Sequence, residues 1–155
     1  MALEIERKYL VINDKWKSSI ESETVMKQGY LATVAKASVR VRIARDKAYL
    51  NIKSATLGIR RSEFEYPIPL TDAEEMLANL VDGAVIDKVR YEVRNGAHLW
   101  EVDVFHGDNQ GLIVAELELS SEDESFATPE WAGQEVSGDP RYYNASLVKH
   151  PYCDW

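Results

Sequence analysis

Charged side chains recur at every second position along several segments of this sequence. In the first segment, LEIERKYLV, the residues Glu4, Glu6 and Lys8 alternate with Leu3 and Ile5. A period of two is typical of a β-strand whose two faces meet different surroundings. If such charges faced one enclosed space, they would be very costly to desolvate without partners. A highly charged ligand together with metal ions is the chemistry that such a set could serve.

Six further segments repeat this alternation, and in nearly every case the opposite face is apolar, as with Trp100, Val102 and Val104. The charged positions are the basic residues Lys8, Arg40, Arg42, Lys53, Arg61, Lys88 and Arg90 and the acidic residues Glu4, Glu6, Glu63, Glu65, Glu101, Asp103, Glu116 and Glu118. The sequence therefore predicts strands with one ionic face and one apolar face.

Two architectures satisfy this pattern. In an ordinary barrel or sandwich, the apolar face turns inward and the charges meet solvent. In the inverted arrangement, the charges line a polar tunnel, and helices, long loops or a second subunit cover the apolar outer wall. Periodicity leaves both arrangements open.

The elements that must position these residues are mostly strands. The predicted strands cover residues 2–12, 25–33, 37–45, 47–54, 60–69, 85–94, 98–106 and 112–120, separated by turn signals such as Asn95-Gly96. Many hairpin-linked strands with few helices indicate an antiparallel sheet or barrel with helices packed on it.

One helix is predicted within LTDAEEMLANLVDG, residues 70–83, where Thr71 is the N-cap of a capping box with Glu74, apolar residues follow at helical spacing and Gly83 lies beyond the end. Short helices or helical turns are predicted over residues 14–22 and 123–133, with Pro129 breaking the second.

Bulk composition limits the classes of function. The 155 residues predict a single domain over 1–155, and the formal net charge of −8 disfavours general binding of nucleic acid. The one cysteine, Cys153, allows no intrachain disulfide, which favours the reducing cytoplasm. We expect no membrane segment, because no apolar run reaches spanning length.

Several common site types lack their signatures. The sequence has neither a Gly-x-Ser-x-Gly elbow nor a Gly-x-x-x-x-Gly-Lys phosphate loop. His98, His106 and His150 lack the spacing of metal ligands, and we interpret them as surface or turn residues. Arg141 and Asn144 in DPRYYNASL are interpreted as structural.

In order along the chain, the motifs EIERKYLV, QGYL, VRVRI, NIKS, RSEFEYPI, DKVRY, WEVDVF, GLIVAELEL and PEWAGQEVSGDPRYYNASL stand at residues 4–147. This succession resembles the CYTH domain of the triphosphate tunnel metalloenzymes, in its short bacterial form. The resemblance implies the inverted arrangement: an α+β, mostly β fold built on an eight-stranded antiparallel β-barrel with a charged lumen and a few helices outside.

The resemblance also implies site roles and an activity. It assigns metal binding to Glu4, Glu6, Glu63, Glu116 and Glu118, substrate binding to Lys8, Arg40, Arg42, Lys53, Arg61, Lys88 and Arg90, and catalysis to Lys8, Tyr30, Glu65 and Asp103. Carboxylates suit Mg²⁺ or Mn²⁺, while arginine and lysine suit phosphate oxygens. The implied reaction is metal-dependent hydrolysis of inorganic triphosphate, a small-molecule substrate.

Alternatives within the resemblance are hydrolysis of nucleoside, thiamine or RNA 5′-triphosphates, and adenylate cyclase activity. The cyclase and thiamine triphosphatase relatives are generally longer, which favours the inorganic substrate. An alternative of another class is a non-catalytic protein that binds polyphosphate or nucleotide. A homodimer is plausible, because a second subunit would cover an apolar outer wall.

Overall fold

Eight antiparallel strands close into a barrel in the computed structural model, which describes residues 3–155. The strands are β1 (Leu3–Val11), β2 (Ile20–Thr33), β3 (Ala37–Ala44), β4 (Lys47–Ser54), β5 (Arg60–Ile68), β6 (Ile86–Asn95), β7 (His98–Phe105), β8 (Ile113–Glu118) and the additional β9 (Ala132–Glu135). The hydrogen-bonded order is β5-β4-β3-β2-β6-β7-β8-β1-β9, and pairing of β5 with β1 closes the barrel. The predicted eight-stranded barrel is confirmed.

The charged faces of the strands point into the barrel. Because side chains alternate along a strand, Glu101 and Asp103 face inward while Trp100 and Val102 face outward. The charged positions of seven strands line one common cavity, whereas Trp100 and Val102 are fully buried in an apolar cluster outside it. The structure therefore has the inverted arrangement and excludes the ordinary one.

Two parts of the chain cover the apolar outer wall of the barrel. The chain that follows β8 packs Phe126 and Trp131 against Trp100, with ring centroids 5.9 and 5.5 Å apart. Helix α1 (Leu70–Asn79) buries Ala73 and Leu77 in a cluster that includes Val41 and Ala48 of the barrel. Burial of such apolar area is the main stabilising term of the fold.

The C-terminal segment closes one end of the barrel. It contains a 3-10 helix (Pro140–Tyr142), the short helix α2 (Asn144–Leu147) and a final 3-10 helix (Tyr152–Asp154). At this end the inward-facing strand residues are apolar, and Phe105 and Val114 pack against Tyr142, Leu147 and Val148. The C-terminal segment, which is not part of the barrel strands, therefore forms one end of the charged cavity.

The predicted helices are only partly correct. Helix α1 forms, but Pro69 occupies its N-cap position and Thr71 lies in the first turn, so the predicted capping box is wrong. The prediction for residues 14–22 is realised as a 3-10 helix, Lys15–Ser19. Residues 123–133 form no helix; they run irregularly into β9, which pairs with β1.

Among residues 3–155, no helix is both long and apolar enough to cross a membrane.

Candidate active site

The barrel encloses a cavity of about 710 Å³. Fourteen of the fifteen residues predicted for the site line it: Glu4, Glu6, Lys8, Tyr30, Arg40, Arg42, Lys53, Arg61, Glu63, Glu65, Lys88, Arg90, Glu116 and Glu118. Glu101 also lines the cavity, while Asp103 does not. The structure thus brings together residues that lie as far apart in the sequence as β1 and β8.

An acidic pair lies where β1 meets β8. The register sets Glu6 opposite Glu118 and Lys8 opposite Glu116, so Glu6 and Glu116 are diagonal neighbours on the inner face. Burial raises the pKa of the Glu6 carboxyl well above its usual value, and the charge of Glu116 and a hydrogen bond to it add to this effect. Burial opposes ionisation of Glu116 too, but Lys8 and the hydrogen bond from Glu6 hold its pKa well below the usual value. The two carboxyl groups therefore have pKa values that are shifted in opposite directions.

This donor set fits a divalent cation that substrate phosphates help to coordinate. Among residues 3–155, no three carboxylate, imidazole or thiol groups converge into a complete metal cage. Mg²⁺ is usually bound by one or two carboxylates, with phosphates and water completing its shell. The Glu6–Glu116 pair supplies two hydrogen-bonded carboxyl groups that would serve as oxygen ligands of such a cation.

A cluster of cations occupies the wall formed by β3 and β4. Arg40 stands opposite Asn51, and Lys53 follows two residues later on the same face. Burial and then the charge of Arg40 lower the pKa of Arg42 to about 9 and that of Lys53 to about 8. The Arg40 side chain is 4% exposed, and its Nε has no hydrogen-bond partner within the described part of the chain. A buried cation with an unused donor indicates a site for an anion.

Carboxylates neutralise part of this cluster. Lys53 Nζ lies 3.2 Å from Glu4 Oε1 and 3.8 Å from Glu63 Oε2. Asn51 donates to Glu63 at 3.1 Å and to Glu65 at 2.7 Å. Asn51 therefore fixes two of the predicted acidic residues, Glu63 and Glu65. Because Asn51 is uncharged, charge patterning could not identify it.

Asp103 lies on the inward side of β7, but it pairs with the cations Lys88 and Arg90 and does not line the cavity. Its carboxylate is fully buried and accepts from Lys88 Nζ at 2.7 Å and from Arg90 Nε at 2.8 Å. Burial opposes its ionisation, but Arg90 and Lys88 lower the pKa of Asp103 below the usual value. Burial also lowers the pKa of Lys88 to about 7, with Asp103 opposing this shift. Asp103, predicted among the catalytic residues, is thus placed behind the cations that line the cavity.

Asp103→Ala is expected to destabilise the fold by about 3–5 kcal/mol. It removes the carboxylate that Lys88 and Arg90 share, so that Arg90 keeps only its longer contacts with Glu101 and Glu116. Urea unfolding followed by circular dichroism measures this loss. The control is Glu21→Ala, which removes an exposed pair with Arg94 and should cost much less, because exposed ion pairs contribute little to stability. Equal stability losses in the two variants would contradict the assigned role of Asp103.

The C-terminal segment supplies residues that the sequence interpretation missed. Tyr143 lines the cavity, and its ring lies 5.2 Å from the guanidinium carbon of Arg61 and 5.5 Å from Lys8 Nζ. Asn144, interpreted as structural, also lines the cavity. Arg141 is exposed and pairs with Asp139, as a structural residue would. The acidic-basic alternation carried no signal for Tyr143 and Asn144, because both are uncharged and lie outside the strands.

The remaining predictions concern surfaces away from the cavity. His98 is the first residue of β7, directly after the turn at Gly96, and its half-buried side chain pairs with Glu124 at 2.7 Å outside the cavity lining. The outer face of β5 exposes Phe64 and Tyr66, at 43% and 52%. Such a face suits the expected second subunit, but the homodimer stays a prediction.

Fold and site together define a class of protein: closed antiparallel β-barrels whose lumen combines carboxylate pairs with arginine and lysine clusters. A model of the CYTH domain matches residues 2–152. The chain belongs to the CYTH domain family.

Curated relatives and a solved structure match over nearly the whole chain. An inorganic triphosphatase of Acetivibrio thermocellus is 46% identical over 152 residues, covering 98% of this chain and 97% of the relative. An inorganic triphosphatase of Nitrosomonas europaea is 35% identical over 149 residues, covering 94% and 96%. The crystal structure of an inorganic triphosphatase matches with a TM-score of 0.68 at 34% identity, covering 96% of this chain and 95% of that one.

Proposed function

We propose that this protein hydrolyses inorganic triphosphate to pyrophosphate and phosphate, using Mg²⁺ or Mn²⁺. One observation carries the proposal: a single cavity joins the Glu6–Glu116 acidic pair to the cation cluster of Arg40, Arg42 and Lys53. The two relatives and the solved structure that bear the name inorganic triphosphatase support it.

The acidic residues would hold the cation. Glu6 and Glu116 provide the central pair, with Glu4, Glu118 and Glu63 as further oxygen donors on the same lining. A divalent cation bound there supplies Lewis-acid neutralisation of phosphate charge. Metal use is part of the proposal, and the fit of the carboxylate pair supports it.

The basic residues would bind the phosphates. Arginine forks pair with phosphate oxygens at two points, and lysine adds a compact charge. Arg40, Arg42 and Arg61 provide the forks, while Lys8, Lys53, Lys88 and Arg90 surround the remaining anionic charge. Because Asp103 holds Lys88 and Arg90 in place, its contribution is to position these two cations.

The chemical step is attack of water on the terminal phosphorus as the bond to the bridging oxygen breaks. Glu65, which Asn51 holds by a hydrogen bond, takes a proton from the water. Lys8 and the Tyr30 hydroxyl, both on the lining, stabilise charge on the phosphoryl oxygens. Pyrophosphate then leaves with the bridging oxygen, and no covalent intermediate is needed.

A substrate panel tests the proposed function. Phosphate release is measured from tripolyphosphate, ATP and thiamine triphosphate, each with Mg²⁺, Mn²⁺ or EDTA. We expect turnover of tripolyphosphate to exceed that of the two organic triphosphates by roughly a hundredfold and to disappear in EDTA. Binding of tripolyphosphate without turnover in any metal would support a non-catalytic binding protein. Preference for ATP or thiamine triphosphate would reject the inorganic substrate.

A further inference from the structure

The side-chain amide of Asn144 connects the C-terminal segment to both sides of the cavity. Its Oδ1 accepts from Gln28 Nε2 at 2.9 Å and from Lys88 Nζ at 3.2 Å. Gln28 is fully buried and in turn accepts from Arg42 Nε at 2.7 Å. A continuous path of hydrogen bonds therefore runs from Arg42 on β3 to Lys88 on β6.

Chemistry fixes which way each amide in this path faces. A lysine ammonium and an arginine guanidinium donate hydrogen bonds and accept none. The atom of Asn144 that faces Lys88 must therefore be oxygen, and so must the atom of Gln28 that faces Arg42. With its oxygen so placed, Gln28 presents its own N–H group to the same oxygen of Asn144. Both orientations follow from the cations at the two ends.

The opposite side of the Asn144 amide is left with two N–H donors. Within residues 3–155, Asn144 Nδ2 has no hydrogen-bond partner, yet it is not among the buried atoms that lack one. Asn144 itself lines the cavity beside Tyr143 and Ala145. A donor with a fixed orientation, on a residue that lines the cavity, is preorganised for an acceptor on a ligand.

We propose that Asn144 is a substrate-binding residue whose Nδ2 donates to a phosphoryl oxygen of triphosphate. The inference rests on the proposed function and adds to it a neutral donor among the charged ones. Gln28 is the positioning residue, because it holds the oxygen of Asn144 away from the phosphate. An oxygen turned toward the anion would repel it, so the fixed orientation matters for binding.

Two substitutions separate this role from a purely structural one. Asn144→Asp keeps an acceptor oxygen for Gln28 and Lys88 but places a second oxygen where the donor stood. Asn144→Ala removes both sides of the amide. We expect KM for tripolyphosphate to rise roughly tenfold in Asn144→Ala and roughly a hundredfold in Asn144→Asp.

A purely structural role predicts that Asn144→Ala raises KM only where it also lowers the temperature of thermal unfolding, because the substitution then acts by removing the contacts with Gln28 and Lys88. A KM near wild type in Asn144→Asp, with a loss only in Asn144→Ala, would overturn the inference. A raised KM in Asn144→Asp alone, with Asn144→Ala at wild type, would reflect the added charge and would also overturn it. If Asn144→Asp fails to fold, a wild-type KM in Asn144→Ala would overturn it on its own.

The matched control is Asn109→Asp. Asn109 is buried, lies outside the cavity lining, and uses its Oδ1 to accept from the backbone N–H of Tyr152. This variant should keep the wild-type KM, while thermal unfolding reports whether each variant is folded.

Calorimetric titration with tripolyphosphate distinguishes failure of this inference from failure of the proposed function. If wild type binds tripolyphosphate but does not hydrolyse it, the proposed function fails, and the weaker binding expected of both Asn144 variants still supports the assignment of Asn144. If wild type turns over tripolyphosphate and both variants bind it as wild type does, the proposed function stands and the role of Asn144 is rejected.

Discussion

Glu6→Gln is expected to lower triphosphate turnover at a fixed Mg²⁺ concentration by about a hundredfold, and to raise the Mg²⁺ concentration for half-maximal rate by at least roughly tenfold. Glutamine keeps the shape of Glu6 and can donate to Glu116, so the barrel should fold as before. It removes one of the two carboxylates that the cation would share. Phosphate release measured across a Mg²⁺ titration gives both quantities.

Glu116→Gln should act in the same direction, and the double variant sharpens the test. If both residues hold one ion, losing the second carboxylate should add less than its effect alone, because the site is already disabled. Glu21→Gln is the control, since Glu21 is exposed and pairs with Arg94 outside the cavity. An unchanged Mg²⁺ dependence in Glu6→Gln and Glu116→Gln would remove the acidic pair from the metal site.

The strands were predictable because alternation of charged and apolar residues is a local property. The inner face of β1 carries Glu4, Glu6 and Lys8 at every second position, and the structure keeps that face intact. Which face points inward is a property of the closed barrel, and periodicity is the same in both arrangements. Only the resemblance to the CYTH family predicted that the charged faces point inward, and the cavity lining agrees with that prediction.

Residues outside this alternation could not be predicted in the same way. Gln28 and Asn144 are uncharged, and their positions follow from a contact between β2 and α2 that spans 116 residues. Residues 123–133 are predicted to be helical but form an irregular segment, because their apolar residues pack against Trp100 of the barrel wall. The strand β9, AGQE, pairs with β1 through its backbone and has no apolar alternation to reveal it.

The cations of the proposed site, Arg40, Arg42 and Lys53, lie close enough to repel one another. Arg40 is 4% exposed, and its charge contributes, after burial, to lowering the pKa of both Arg42 and Lys53. Like charges at close range in a poorly solvated cavity repel one another, and Arg40 Nε has no partner within the described residues to offset this. Repulsion among these cations therefore opposes folding, and an anion bound by them would relieve it.

Arg40→Met is expected to lower kcat/KM for tripolyphosphate by about a hundredfold or more, while the free energy of unfolding without ligand stays the same or rises. Methionine fills much of the arginine volume and removes the repulsion on Arg42 and Lys53. Urea unfolding with and without tripolyphosphate, beside initial rates, measures both effects, and the ligand should stabilise wild type more than the variant. Lys47→Met, an exposed position on β4, should leave kcat/KM unchanged. A ligand-free stability loss above about 2 kcal/mol in Arg40→Met would show that Arg40 supports the fold, because removal of a repelled, unpartnered charge cannot destabilise the barrel by that amount.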